Sequence, residues 1–145
     1  MNEIALMREI AKLQGQIDAL RTIQTGGIWT AYTPTLTGWS SEPTAGVYRY
    51  CVVGKLCTVM IYQPNDGTSD STTTRITVPK TAGASGYWIA PMQYRDNGST
   101  STTPGFAQIP VNGTYIGFYT TWSGGAWTAS GAKRIANCVI TYEIA

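Results

Sequence analysis

The chain has 145 residues, with ten Lys and Arg against eight Asp and Glu, and no His. Charged residues reach only 12 %, about half the usual share, beside an ordinary 43 % of hydrophobic residues. The length suits one domain with a real core. The scattered charges exclude the basic footprint of a nucleic-acid binder, and the missing histidine removes the commonest general base and metal ligand.

Composition changes abruptly near residue 25. Residues 1–24 hold no Pro, one Gly and six charges; residues 26–145 hold all seven Pro, the other fifteen Gly, and every aromatic and Cys. Two parts follow: a helix over 1–25 and a head over 26–145. In the helix, Ile10, Leu13, Ile17 and Leu20 are spaced 3, 4 and 3, the rhythm of a coiled-coil seam. The frame puts Glu3, Ile10, Ile17 and Gln24 at a, and Leu6, Leu13, Leu20 and Gly27 at d. Gly15 falls at f, facing water. Leu6, Ile10, Leu13, Ile17 and Leu20 are the expected oligomerisation residues. The alternative is an amphipathic helix folded onto its own head, but so short a helix needs partners in water. Ile at a with Leu at d favours dimers, and the flanking e and g residues, Ile23 among them, are mostly uncharged, so the pattern does not fix the copy number. Gly26-Gly27 is the expected helix stop.

The head reads as all-β. Runs rich in Thr, Tyr, Val, Ile and Trp, punctuated by Gly, Pro, Asn and Asp, predict strands over 29–37, 46–53, 56–63, 73–79, 86–96, 104–109, 113–122 and 133–144. Val53-Gly54-Lys55-Leu56 predicts a tight hairpin placing Val52 opposite Cys57 and Cys51 opposite Thr58, so the two cysteines are diagonal and act as small buried hydrophobes. Asp96-Asn97-Gly98, Asn112-Gly113 and Ser123-Gly124-Gly125 are further turns. In the strand at 56–63, Cys57, Val59 and Ile61 form one apolar face and Leu56, Met60 and Tyr62 another; both are expected to be buried, one in the core and one against a neighbouring subunit. Cys138, Ile140, Tyr142 and Ile144 share a face of the last strand. The stretch GTSDSTTT from Gly67 reads as a polar loop. This many short antiparallel strands predict a β-sandwich or jelly roll.

Several stretches resemble the C-terminal heads of bacteriophage tail-fibre, minor tail and other virion-appendage proteins. WTAYTPTLTGW from Trp29 is similar to their W-x-x-Y-T-P-T-L-T opening. GVYRYCVVGKLCTVMI from Gly46 is similar to their Y-x-x-x-G-K-x-x-T-V hairpin. NGSTSTTPGFAQIP and the closing AKRIANCVITYEIA also fit, and together these cover most of residues 28–145. The resemblance implies a homotrimeric head at a fibre tip, in a virion assembled in the host cytoplasm. It also implies contact with host-surface polysaccharide or protein, or with other virion parts. Without an extended shaft, the helix would both trimerise the chain and attach it to other virion proteins. A purely structural capsid fibre or decoration protein, with no receptor role, is the alternative.

No catalytic pattern emerges, and no enzyme or cofactor is expected. There is no G-x-S-x-G elbow, no Gly-rich phosphate loop and no zinc spacing. Three cysteines, an odd number, argue against a secreted disulfide framework. No segment is apolar enough for membrane insertion, and the N-terminus does not read as a signal peptide. Asp66 and Asp70 read as solvated loop acids rather than a glycosidase pair. Among the five Trp and nine Tyr, Trp39, Tyr48 and Tyr50 read as packing residues. Trp122 and Trp127, flanking a Gly loop, are candidate ligand-stacking residues, and Tyr94, Arg95, Asp96 and Asn97 form a second candidate loop.

Overall fold

The computed structural model of the chain describes residues 2–25 and 27–145, and only the backbone of residues 22–25. Gly26 of the expected helix stop, and the heptad side chains of Ile23 and Gln24, lie outside the described residues. Helix α1 runs from Glu3 to Thr25. Asn2 caps it, its Oδ1 accepting the Ala5 backbone N–H at 2.8 Å. Past its end Gly27 takes a φ of +96°, and its N–H donates to Val52 O at 3.0 Å, fastening the helix root to the head. The alternative of a helix folded onto its own head is not what this structure has: described side chains of α1 up to Arg21 are exposed, apart from a half-buried Ala5.

The strands are β1 (Thr30–Ala31), β2 (Leu36–Thr37), β3 (Trp39–Ser41), β4 (Val47–Val53), β5 (Leu56–Tyr62) and β6 (Gly67–Ser69). They continue with β7 (Thr74–Thr77), β8 (Trp88–Asp96), β9 (Ser99–Thr100), β10 (Gly105–Ile109), β11 (Tyr115–Tyr119) and β12 (Ala132–Glu143). All pairing is antiparallel, in the order β1-β4-β5-β12-β8-β10-β11-β7-β2. The expected strand at 29–37 breaks into β1 and β2 around Thr33-Pro34, since proline brings no ladder N–H. That break lets one stretch serve two edges. Thr30 and Ala31 pair with β4, then Leu36 and Thr37 pair with β7. The sheet thereby wraps, sandwich-like, around Val59, Ile61, Ile76, Ile109, Ile116 and Ile140. The fold is mainly antiparallel β with one N-terminal helix.

The β4–β5 hairpin has the expected register, with Val52 opposite Cys57 and Cys51 opposite Thr58 across a Gly54 of φ +59°. Its core face is as expected, and its other apolar face is left uncovered in the single chain. Cys57, Val59 and Ile61 are fully buried, but Leu56 and Tyr62 stay 53 % and 48 % exposed and Met60 is half-buried. The single rolled sheet has only one inside, so the second apolar face points outward.

The stretch from Gly67 is a second correction. Gly67–Ser69 is not loop but strand β6, wedged between β3 and the start of β12. Glycine is needed there: a β-carbon on Gly67 would stand 2.7 Å from Trp39 Cδ1 and 2.8 Å from Pro43 Cδ. Ser69 is buried, its hydroxyl donating to Thr128 O at 2.6 Å. Asp66 is also no solvated acid. Arg95 Nη1 lies 2.5 Å from its Oδ2 and Arg134 Nε 3.6 Å from its Oδ1.

Strand β12 carries the longest pairing. Its first residues bond β6, Arg134 to Cys138 bond β8, and its second half bonds β5. A β-bulge interrupts it between Ile135 and Asn137. The inward positions are Lys133 and Ile135 before the bulge, then Cys138, Ile140 and Tyr142 after it. One extra residue has changed the parity of the face.

Candidate functional site

The outward face of β10 and β11 carries an aromatic cluster built by strand alternation. Phe106 pairs with Tyr119 across the two strands, and their rings stack with centroids 4.8 Å apart at 17°. Trp122 sets its edge against Phe106 at 5.3 Å and 65°. Phe106 is 9 % exposed yet stands apart from the main core, because the rings covering it are on the outside. Trp122 is 66 % exposed. Farther along the same face, the Arg75 guanidinium lies 4.4 Å above the ring of Tyr115.

The turn presenting Trp122 is bound to itself. Thr120 N–H donates to Gly125 O at 2.9 Å, Gly124 N–H to Thr121 O at 3.0 Å, and Gly125 N–H to Thr121 Oγ1 at 2.9 Å. Thr120 Oγ1 donates to Ala126 O at 3.0 Å. Gly124 takes a φ of +87°, and a β-carbon on Gly125 would stand 2.6 Å from Thr121 Oγ1. A loop held by its own backbone shows a large ring to solvent at little ordering cost on binding.

The other candidates do different work. Trp127 is 2 % exposed, which rules out the stacking role expected of it; its Nε1–H donates to Phe118 O at 2.9 Å, and its ring meets Tyr94 edge-on at 5.2 Å. Tyr94 is buried too, its hydroxyl donating to Thr120 O at 2.7 Å. Asp96 accepts the Thr128 backbone N–H at 3.1 Å and its hydroxyl at 2.9 Å, tying the β8–β9 turn to the loop between β11 and β12. Arg95 is engaged by Asp66 and by Gly98 O, at 2.8 Å from its Nε. Asn97, exposed at φ +46°, opens the turn with Gly98. Trp122 is thus the one aromatic of this set that faces solvent, and sequence reasoning missed the rings beneath it. The alternation of Tyr115, Gly117 and Tyr119 could have pointed to them.

Trp127 also lies beside Lys133. That lysine is fully buried, its ammonium donating to Gly38 O and, at 3.0 Å, to Thr74 Oγ1. It lies 4.6 Å from the Trp39 ring centroid and 5.4 Å from that of Trp127, a cation held between two indoles. Burial pulls its pKa down to about 8, with Asp70 and then Asp96 opposing.

The cysteines are all free. Burial pushes Cys57 up and Cys138 up to about 12, so both stay protonated at neutral pH and fill space.

The expected seam forms a second feature. Leu6, Ile10, Leu13, Ile17 and Leu20 are between 43 % and 63 % exposed. At the helix root Ile28, Trp29, Val53 and Leu56 are exposed as well, and the Val53 side chain lies against Gly27. An apolar collar therefore surrounds the point where helix meets head. No protein-family model matches the chain, and no curated protein matches it.

Proposed function

We propose that this chain is a bacteriophage virion structural protein, a short homotrimeric fibre or tail appendage whose head binds a host-surface glycan or receptor. The carrying observation is the row of five exposed Ile and Leu residues along α1, continued by the collar of Ile28, Trp29, Val53 and Leu56. So much apolar surface in one line calls for cover, and copies of the same helix provide it with matching spacing. Three copies, the virion setting and attachment to other virion proteins come from the resemblance of the head to phage appendage heads. The ligand-binding role is supported by Trp122, an exposed ring on a self-bonded turn over stacked Phe106 and Tyr119.

The test has two arms. Purified protein is applied to an array of bacterial O-antigens, capsular polysaccharides, teichoic acids and peptidoglycan fragments, beside a Trp122→Ala variant. Binding by the native protein, weakened at least tenfold in the variant, supports the receptor role. A blank array, with the chain mapped between other proteins of an intact particle, overturns it in favour of a purely structural capsid fibre or decoration protein.

A further inference from the structure

A cleft of about 490 Å³ opens on the outward face beside the aromatic cluster, between β8, β12 and the loop of residues 101–104. It lies beside the β12 bulge, where Asn137 faces outward opposite Gln93 of β8. Both side chains are exposed, and neither amide bonds to another described residue. No charged side chain lines this cleft; its walls are Pro91, Pro104 and Val139, with Thr102 and Thr103 hydroxyls at the rim. The loop over it is held by its own hydroxyls, Ser101 Oγ donating to Thr103 O at 2.5 Å and accepting the Thr103 N–H at 3.2 Å.

The cleft is continuous with two neighbours. On one side Pro91 pairs directly with Phe106, the ring under Trp122. On the other, a second hollow shares Gln93 and Asn137 and ends at the exposed ring of Tyr62 on β5. Trp122, Phe106, Pro91, Gln93, Asn137 and Tyr62 thus follow one line across β10, β8, β12 and β5. Three interstrand steps of about 4.8 Å and one two-residue step of about 6.6 Å along β8 make the diagonal from Phe106 to Tyr62 roughly 16 Å long. Aromatic rings stand at both ends and paired amides at the centre. That alternation suits a chain of sugar rings, whose flat faces stack on aromatics and whose hydroxyls bond to amides.

We propose that this line is one extended subsite series for a linear oligosaccharide, neutral where it crosses the central cleft. This rests on the glycan-binding reading above and deepens it: Trp122 holds one end, and Gln93 with Asn137 grips the middle. Tyr62 lies at the far end of β5 from Leu56, about 20 Å along the strand, so heads meeting at the collar leave the line open.

The experiment takes whichever array polysaccharide the native protein retains and trims it to fragments of one to six units. Affinity is measured by isothermal titration on the native protein and on a Gln93→Ala/Asn137→Ala double variant. Near-ultraviolet circular dichroism checks that the fold is kept. Native affinity should climb with fragment length, and the double variant should flatten that climb, weakening the longest fragment about tenfold or more. Affinity independent of length, or a climb the double variant leaves intact, overturns the extended subsite while the single-ring role of Trp122 stands. A blank array overturns both.

Discussion

Replacing Leu13 and Ile17 by Asp tests the assembly that the proposed function requires. In the single chain these two side chains keep 55 % and 43 % of their surface in water. Covering the remainder is worth roughly 1 kcal/mol each, so five seam positions contribute roughly 5 kcal/mol per chain and 15 across three chains. The double substitution removes about 2 kcal/mol of this per chain. It also places two carboxylates per helix in an apolar seam, where each unpaired charge costs several kcal/mol more. Association should therefore weaken by many orders of magnitude, since each 1.4 kcal/mol is a factor of ten. Sedimentation equilibrium at tens of micromolar should give the 15.6 kDa monomer for the variant and three times that for the native chain. The head should keep its near-ultraviolet spectrum, because the described seam side chains stand clear of it. A variant that sediments like the native protein refutes the reasoning: the heads, and not the helix, would be holding the copies together.

Four further outcomes follow from particular residues. Gly15→Ala, where a β-carbon meets nothing within 4 Å, should stabilise the helix by about 1 kcal/mol and raise its thermal midpoint by circular dichroism. Gly67→Ala should cost about 2 kcal/mol or more in urea unfolding, since its methyl collides with Trp39 and Pro43. Cys138 is held near 12 in the fold against about 8.5 unfolded, so the stability of its neutral thiol is complete below pH 8.5 and is lost as pH rises toward 12. By pH 11 the native protein should have lost about 3 kcal/mol more than Cys138→Ala, measured by urea titration at several pH values. Lys133 has the opposite sign, with a folded pKa of about 8 below an unfolded one of about 10.4. Its buried charge burdens the fold fully below pH 8, so relative to Lys133→Met the native protein should gain about 3 kcal/mol between pH 8 and 10.4.

The parts of the fold that were legible are those governed by local rules. The β4–β5 hairpin follows from Gly54 and the alternation around it, and the inward face of Cys138, Ile140 and Tyr142 follows from a period of two. What alternation could not show is the extra residue at the β12 bulge. It reverses the parity upstream and sends Lys133 and Ile135 inward, whereas Asn137, set on the face opposite to that of Cys138 by plain alternation, points out beside Gln93. Trp127 was misplaced because what takes it inside lies on strands elsewhere in the chain: the Tyr94 ring packs against it, and the β11 carbonyl of Phe118 accepts its indole N–H. Strand β6 was hidden because its residues are polar and its pairing is entirely long-range. The Trp122 loop was legible as a glycine turn, whereas the stacked pair beneath it depends on β10 lying next to β11.

The stretch from Thr30 to Thr37, hydrogen-bonded first to β4 and then to β7, has a bearing on crowding. An open flank on either strand would offer a template for a neighbour's backbone to zip onto, the route by which β proteins clump. A surface with so few charges has little repulsion to keep neighbours at bay. Capping both flanks with a single run of chain lets such molecules sit densely side by side as separate particles, joined only where their side chains choose to meet.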